Sequence, residues 1–533
     1  MSHRTSTRPP RGPLVAPPLQ ADPAVVASFL DDAAHYPGGR ADGVVFPRTE
    51  AEVAAILRDH CQVLPIGAQS SVTGGATPRG GVVLSTAKMA AMLESTDTFV
   101  RVQPGLPVVT LKQALAADRR YYPPAPTYDG AFVGGTISTN ASGAATFKYG
   151  STRNWVRRLT VVLACGEVLD IERGQVHAHP DGFFEIETSG GVMTVPVPTY
   201  RMPDVPKRSA GYYAAPGMDL IDLFIGAEGT LGVVVEATLA VLTPAPAACL
   251  ALVPFPDEAL ALGIVADLRE RSRRTWRDRD PLGLDVSAIE MLDRRCLAML
   301  HEDGSDAKHG VALPPETDVA LLVQLELAAG TTGEDAYDQI AAALDPGGDR
   351  APLGLFCRLL DEAGVLDHVE VAVPGDQSRA QQFFDFRESA PEAVKQRVAL
   401  AKQEVDPAIQ KTAADMIVPF DRFREMMEIY RRGYERRGLP YAIWGHVSDG
   451  NVHPNVIPRT VADVEAGQEA ILEFGLEVVA RGGSPLSEHG VGRSAIKQAL
   501  LRHLYGDVGV EEMRAVKRAL DPDSKLAPGV IFS

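Results

Sequence analysis

Nowhere in the chain do about 18 apolar residues follow one another, so a transmembrane helix of ordinary length is excluded. The first twenty residues also lack a continuous apolar core. Arg4, Arg8, Arg11 and several prolines interrupt them, and they read as a flexible tail, not a secretory leader. Cysteine is scarce: Cys61, Cys165, Cys249, Cys296 and Cys357 are scattered, odd in number and without a Cys-x-x-Cys pair. This argues against a disulfide framework or a cysteine-held metal and fits a reducing compartment. A cytoplasmic location is expected, with peripheral attachment to a membrane left open. A surplus of positive charge is missing too. The formal net charge is −17 with no basic stripe to offset it, which speaks against a nucleic-acid partner. A small anionic substrate in a locally basic pocket remains compatible with that charge.

What is present is an ordinary globular composition, 45% hydrophobic and 23% charged, in a chain of 533 residues that is too long for a single core. Two or three domains are expected. Thr49 caps a predicted helix with Glu50 and Glu52 in its first turn and Val53, Ile56 and Leu57 as its apolar face. Short β-like runs follow at 63–66, 82–84, 99–102, 159–164 and 233–242. Glycine-rich loops and helices such as 106–117 separate them, and this alternation predicts α+β subdomains. Thr243-Pro244-Ala245-Pro246 reads as a boundary. Beyond it, 248–255 resembles a strand and 257–274 a helix, and a second mixed region runs on to Pro440, with loops at 304–310 and Pro346-Gly347-Gly348. A further helix is predicted over 494–504. No internal repeat occurs.

The densest chemistry lies in Gly445-His446-Val447-Ser448-Asp449-Gly450-Asn451-Val452-His453 and in Ser487-Glu488-His489-Gly490. Asp449-Gly450 is a two-residue hairpin signal. With it as the turn, Ser448 pairs with Asn451, Val447 with Val452 and His446 with His453, which puts the two imidazoles opposite on one face, about 5 Å apart at Cβ. Two such rings can share one divalent metal. Glu488 can add a hard oxygen and His489 is left for proton transfer. Three protein ligands and an open position describe a catalytic metal site and not a structural one. Paired surface histidines on a common turn are the plainer alternative. The second segment weighs against it, because three of the chain's 12 histidines fall in these two stretches.

Three glycine-rich segments can cradle a dinucleotide. The first, from Pro65 to Gly75, follows a strand and offers unhindered N–H groups and several hydroxyls for an anion-binding nest. It matches neither the Walker A pattern nor the Gly-x-Gly-x-x-Gly fingerprint. The second runs from Pro123-Pro124-Ala125-Pro126 through Gly134-Gly135-Thr136-Ile137-Ser138-Thr139-Asn140-Ala141-Ser142-Gly143, where small residues let backbone lie against a flat ring. The third is Gly226-Ala227-Glu228-Gly229-Thr230-Leu231-Gly232. Singly each reads as an ordinary turn; together, in one half of the chain, they point to a nucleotide cofactor.

These segments, with His-x-x-x-Asp-Gly-Asn-x-His, Ser-Glu-His-Gly and the terminal Pro-Gly-x-Ile-Phe, resemble the FAD-linked oxidoreductases of the vanillyl-alcohol oxidase superfamily over roughly residues 35–533. The branch they look most similar to holds the D-lactate, glycolate and D-2-hydroxyglutarate dehydrogenases. The resemblance implies an α+β chain with a two-subdomain PCMH-type FAD-binding domain at 21–245, after a tail at 1–20. A cap or substrate domain at 246–440 would hold an antiparallel sheet flanked by helices, and the C-terminal active-site segment would span 441–533. It implies that Gly67, Gln69, Ser70, Ser71, Thr73 and Gly74 bind the pyrophosphate. Pro124, Gly134, Gly135, Thr136, Ser138, Ser142, Gly143, Glu228, Gly229 and Val233 would hold the flavin and adenosine, with Asn451 at the flavin. By the same resemblance His446, His453 and Glu488 ligate a divalent metal (zinc, manganese or iron), His489 is the base, and Arg387 and Lys411 take the substrate carboxylate. Two departures stand out. The loop Gly67-Ala68-Gln69-Ser70-Ser71 replaces the usual Gly-Gly-Gly-Thr-Ser, and Lys411 is spaced differently from its counterparts. No histidine lies in 61–100, so FAD is expected to be non-covalent.

The implied reaction is oxidation of a D-2-hydroxyacid to the 2-oxoacid. Hydride passes to the flavin, and electrons leave to an external acceptor (a quinone, a cytochrome or an electron-transfer protein). A homodimer is compatible with this reading. A metal-free alcohol or sugar oxidase of the same superfamily, and an FAD-dependent alkyl transferase resembling the ether-lipid synthase, are the alternatives.

Overall fold

Helix formation begins where a side chain can satisfy the first open N–H groups. The Thr49 hydroxyl accepts the Glu52 N–H at 3.2 Å, and helix Glu50–Asp59 buries Val53, Ile56 and Leu57. Asp257 does the same for Glu258–Asp278 through the Leu260 N–H, at 2.9 Å. The computed structural model describes residues 2–124, 128–347 and 350–532; Ala125 and Pro126 of the proline run and Gly348 of the Pro-Gly-Gly loop lie outside the described residues. The chain divides into two compact units. Met1–Gly143, Gly150–Thr243 and Gly482–Ser533 form the first, and Ala144–Tyr149 with Pro244–Arg481 the second.

The first unit contains a parallel sheet in which Val82–Ser85 lies between Gly43–Val45 and Val63–Ile66. Its strands read as nearly continuous apolar runs, as buried parallel strands do. Val45, Ile56, Leu57, Val63 and Leu84 pack with Val162, Val233 and Leu526 in one core. An antiparallel five-stranded sheet runs in the order Met92–Ser95, Phe99–Val102, Val233–Ala240, Val156–Val162, Val168–Glu172. The C-terminal segment closes on this unit, because the Val63 N–H donates to Lys525 O and the Ala527 N–H to Val63 O, each at 2.9 Å.

The second unit is an antiparallel eight-stranded sheet flanked by helices, as the resemblance implies. Glu370–Ala372, Ala247–Phe255, Val319–Leu327, Val286–Asp293, Tyr441–His446, Asn451–Val456 and Thr412–Ala413 follow in order, and Met416–Ile417 also pairs with Asn451–Val456. Leu250, Leu292, Phe383, Phe386 and Trp444 are part of its core. Among the described residues no helix is long and apolar enough to cross a membrane.

One expectation is corrected and one is met. The N-terminal segment is not a loose tail: Arg4–Ser6 pairs in parallel with Phe183–Thr188, and Arg8 bonds Glu50 at 2.6 and 2.9 Å and Asp170 at 2.7 Å. Its partners lie more than 40 residues away in sequence, where local composition has no bearing. The helix predicted over 494–504 forms: it starts at Ala495 and is interrupted at Gly506, where φ is +70°, before a further helix runs on to Leu520. Glycine there permits the non-helical turn that separates the two.

Candidate functional site

In the first unit the three glycine-rich segments converge on one cavity of about 330 Å³. That is within the range of small-molecule sites. Gly67, Gln69, Ser70, Ser71 and Thr73 line it from the first loop. Gly134, Gly135, Thr136, Ser138 and Ser142 line it from the second, and Glu228, Gly229 and Val233 from the third. Gly74, Pro124 and Gly143, expected at the cofactor, are not among the lining residues. Gly74 has φ +76°, and a Cβ there would fall 2.6 Å from the Tyr36 ring, so its glycine serves the turn.

The first loop is built from within. Ser71 Oγ accepts the Thr73 and Gly75 N–H groups at 3.3 Å each. The Gln69 side chain turns away and donates to Ser28 O at 3.2 Å and Asp31 O at 2.7 Å, so its amide holds the loop in place. Gly135 lies in Val133–Ser138; a Cβ built there meets no atom within 4 Å. The wall is thinned at that point, leaving room for a flat ring.

Glu488 and His489 line the same cavity. Glu488 is paired with the fully buried Lys207, Nζ to Oε1 at 2.5 Å. The following residues are tied down on two sides. The Val491 and Gly492 N–H groups donate to the two oxygens of Glu228, both at 2.8 Å, and the Arg493 N–H donates to Thr73 O at 2.9 Å. Burial pushes the Glu228 carboxyl up to about 7, against the opposing pull of those two N–H groups and of Lys497.

In the second unit the histidine hairpin forms with a different register. Trp444 pairs with His453 and Ile443 with Pro454, Val447–Asp449 makes a single 3-10 turn, and Gly450 has φ +82°. The tight Asp-Gly turn is displaced by competing partners. Glu290 pairs with His446 on one side, while Ile417 and Met416 take Asn451 and Val452 on the other. A slip of two residues keeps each side chain on its face. The two rings therefore remain neighbours, with centroids 5.6 Å apart and nearly perpendicular.

Around them lies a buried ionic network. Glu290 Oε1 is 2.5 Å from His446 Nδ1, while its Oε2 accepts from Arg387 Nε at 3.0 Å and pairs with Nη2 at 2.9 Å. Arg387 Nη1 donates to Glu388 at 2.5 Å. Asp415 Oδ1 lies 3.6 Å from His453 Nδ1, and Asn451 Nδ2 donates to Met416 O at 2.9 Å. Lys411 is exposed just before Thr412–Ala413. The Glu290 carboxylate thus occupies the Nδ1 side of the His446 ring.

Sequence reasoning missed Lys207, Glu290 and Arg493. Glu290 had a visible signal, an acid in the middle of the apolar strand Val286–Asp293. Lys207 had none beyond its place among Pro206, Arg208 and Ser209.

The family described as FAD binding domain matches residues 41–172, and the family described as FAD linked oxidases, C-terminal domain, matches residues 247–531. The glycolate oxidase subunit GlcD of Bacillus subtilis is 26% identical over 502 residues, covering 92% of this chain and 89% of that protein. The D-2-hydroxyglutarate dehydrogenase of Stutzerimonas stutzeri is 28% identical over 504 residues, 92% and 90% of the two chains. The D-lactate dehydrogenase of Anaerostipes hadrus is 26% identical over 517 residues, 94% and 91%. A solved alkyldihydroxyacetonephosphate synthase shares the fold, with TM-score 0.58 and 13% identity over 96% of this chain and 82% of its own.

Proposed function

The chain belongs to the FAD-linked oxidases, and from that premise we propose that it oxidises a D-2-hydroxyacid of the D-lactate, glycolate or D-2-hydroxyglutarate type to the 2-oxoacid and passes the electrons to an external acceptor. The observation that carries this reading is the placing of Glu488 and His489 on the wall of the cavity that the glycine-rich loops enclose. The activities for which the three relatives are named suggest the substrate class.

Bound FAD supplies the hydride acceptor. Its fit rests on the open wall at Gly135, where a side chain would fill the space. Gly135→Leu is accordingly expected to purify without flavin, with a melting profile like that of the unsubstituted apoprotein; retention of full flavin absorbance would refute the assignment.

His489 is proposed as the base that takes the substrate hydroxyl proton, since imidazole changes charge near neutral pH. Arg387 is proposed to hold the carboxylate. Two of its nitrogens face the buried Glu290, but Nη1 holds Glu388, whose side chain is 42% exposed, a partner that a substrate carboxylate can replace. Lys411 is the second candidate for the same charge. His446, His453 and Glu488 are proposed to hold a divalent cation. Their donor chemistry of two imidazoles and a carboxylate suits zinc, manganese or iron, and the cation would supply Lewis acidity toward the substrate hydroxyl.

The experiment is anaerobic flavin bleaching by a panel of D- and L-2-hydroxyacids, with metal analysis of the same sample. D-isomers are expected to bleach the flavin and chelation to stop it. No bleaching by any hydroxyacid sinks the oxidation and favours alkyl transfer without net redox. Full activity without metal removes the cation and favours a metal-free alcohol or sugar oxidase.

A further inference from the structure

We propose that Glu228 is a positioning residue, whose carboxylate clamps the loop that carries His489 to the wall of the cofactor cavity. The clamp is two parallel bonds. Val491 N–H donates to Oε1 and Gly492 N–H to Oε2, each at 2.8 Å. Only a carboxylate can take both. A carboxamide would turn an NH₂ toward one of the two donors, and a protonated acid would turn an O–H there. The approach leaves no room for slack, since a Cβ on Gly490 would fall 2.8 Å from Glu228 Oε1, and Gly490 has φ +73°. Glu228 itself sits at φ +50°, a conformation that a glutamate adopts only when its surroundings impose it.

The other side of the loop is held independently. Arg493 donates from its backbone to Thr73 O and from Nε to Thr77 O, both at 2.9 Å, and Ile531 N–H donates to Gly492 O at 2.9 Å. The loop is thus pinned between the first glycine loop and Glu228, and His489 lies two residues from the first clamped amide. The inference rests on the reading of His489 as the base.

Charge supports the geometry. Lys497 and Tyr212 are coupled to Glu228 by charge, and Glu488 and His489 share its cavity. Burial raises its carboxyl to about 7, so the folded protein binds this proton more tightly than the unfolded chain does. The contribution to stability is therefore full below the ordinary glutamate range and is lost as pH rises through about 7. Glu228→Gln should therefore cost less stability at pH 8, where the parent carboxyl is ionised, than at pH 5, although it undoes the clamp. That combination separates positioning from a merely structural role.

The test uses the full-length, FAD-loaded protein at pH 8, comparing E228Q and G490A with the unsubstituted chain. Hydrogen–deuterium exchange of the peptide spanning 487–493 is expected to quicken about tenfold to hundredfold, the loss of a hydrogen bond to a charged acceptor. Flavin reduction should slow by a similar factor with KM little changed, and the E228Q melting temperature should fall less at pH 8 than at pH 5. Exchange that does not change overturns the proposal. So does quickened exchange with an unaltered reduction rate, provided His489→Ala is inactive. If His489→Ala reduces its flavin normally, the base assignment falls instead, and exchange alone then decides the clamp: faster supports it, unchanged refutes it.

Discussion

His489→Ala is expected to keep its FAD and to lose about 10²–10⁴-fold in the rate at which a D-2-hydroxyacid bleaches it, the span a general base contributes. Flavin retention follows from the cavity wall. Most of its lining comes from residues 65–76, 128–142 and 228–234, and His489 adds one side chain to that set. The loop should also stay in place, because its anchors are the backbone N–H groups of Val491, Gly492 and Arg493, which the substitution leaves intact. The variant therefore separates chemistry from cofactor binding. Added imidazole should restore part of the rate, because the truncated side chain leaves a space of its own shape. Stopped-flow bleaching under argon gives the rate, and the visible spectrum before mixing gives the occupancy. A variant that bleaches as fast as the parent protein would end the base assignment.

The parts of this fold visible in the sequence are those decided locally. Thr49 with Glu50 and Glu52 announces a helix because cap and first turn are four consecutive residues. The apolar strands Val63–Ile66 and Phe99–Val102 appear over the same residues in sequence and structure, since glycine-rich or polar turns bound them closely. What stayed hidden depends on distant partners. The hairpin register could not be read from Asp449-Gly450, because Glu290, Met416 and Ile417 compete for the same backbone from far along the chain. Ala144–Tyr149 belongs to the second unit although its neighbours belong to the first. Lys148 Nζ lies 2.6 Å from both Asp285 and Glu326, acids more than 130 residues away. Glu228 was legible as a residue of the cofactor loop. Its grip on Val491 and Gly492 was not, since it joins two glycine-bounded turns across more than 260 residues.

Arg387→Met is expected to destabilise the fold by about 3–5 kcal/mol, the range for removing one partner of a buried ion pair. Arg387 and Glu290 are 7% and 8% exposed, so neither charge has water to fall back on. Burial alone would push the Glu290 carboxyl up. The Arg387 charge, with the His446 ring beside it, outweighs that and holds it well below the usual carboxylate range. The sign of the linkage follows. A depressed folded value means the stability is present above the ordinary glutamate range and lost as pH falls below it. Without Arg387 the strongest opposing charge is gone, so burial should raise the Glu290 carboxyl, and the variant should gain stability as pH falls from 8 toward the ordinary glutamate range, where the parent protein's pair is still ionised and loses stability only further down. Urea melts between pH 3 and 8 measure both slopes. Glu290→Gln in the Arg387→Met background should return much of the loss, because it removes the stranded charge and keeps the shape. If the double variant is no more stable than Arg387→Met alone, the pair is not the source of the effect. The same network bears on the proposed cation site: Glu290→Gln replaces the carboxylate beside His446 Nδ1, and affinity for an added divalent cation should fall by about 10–100-fold even where the fold survives.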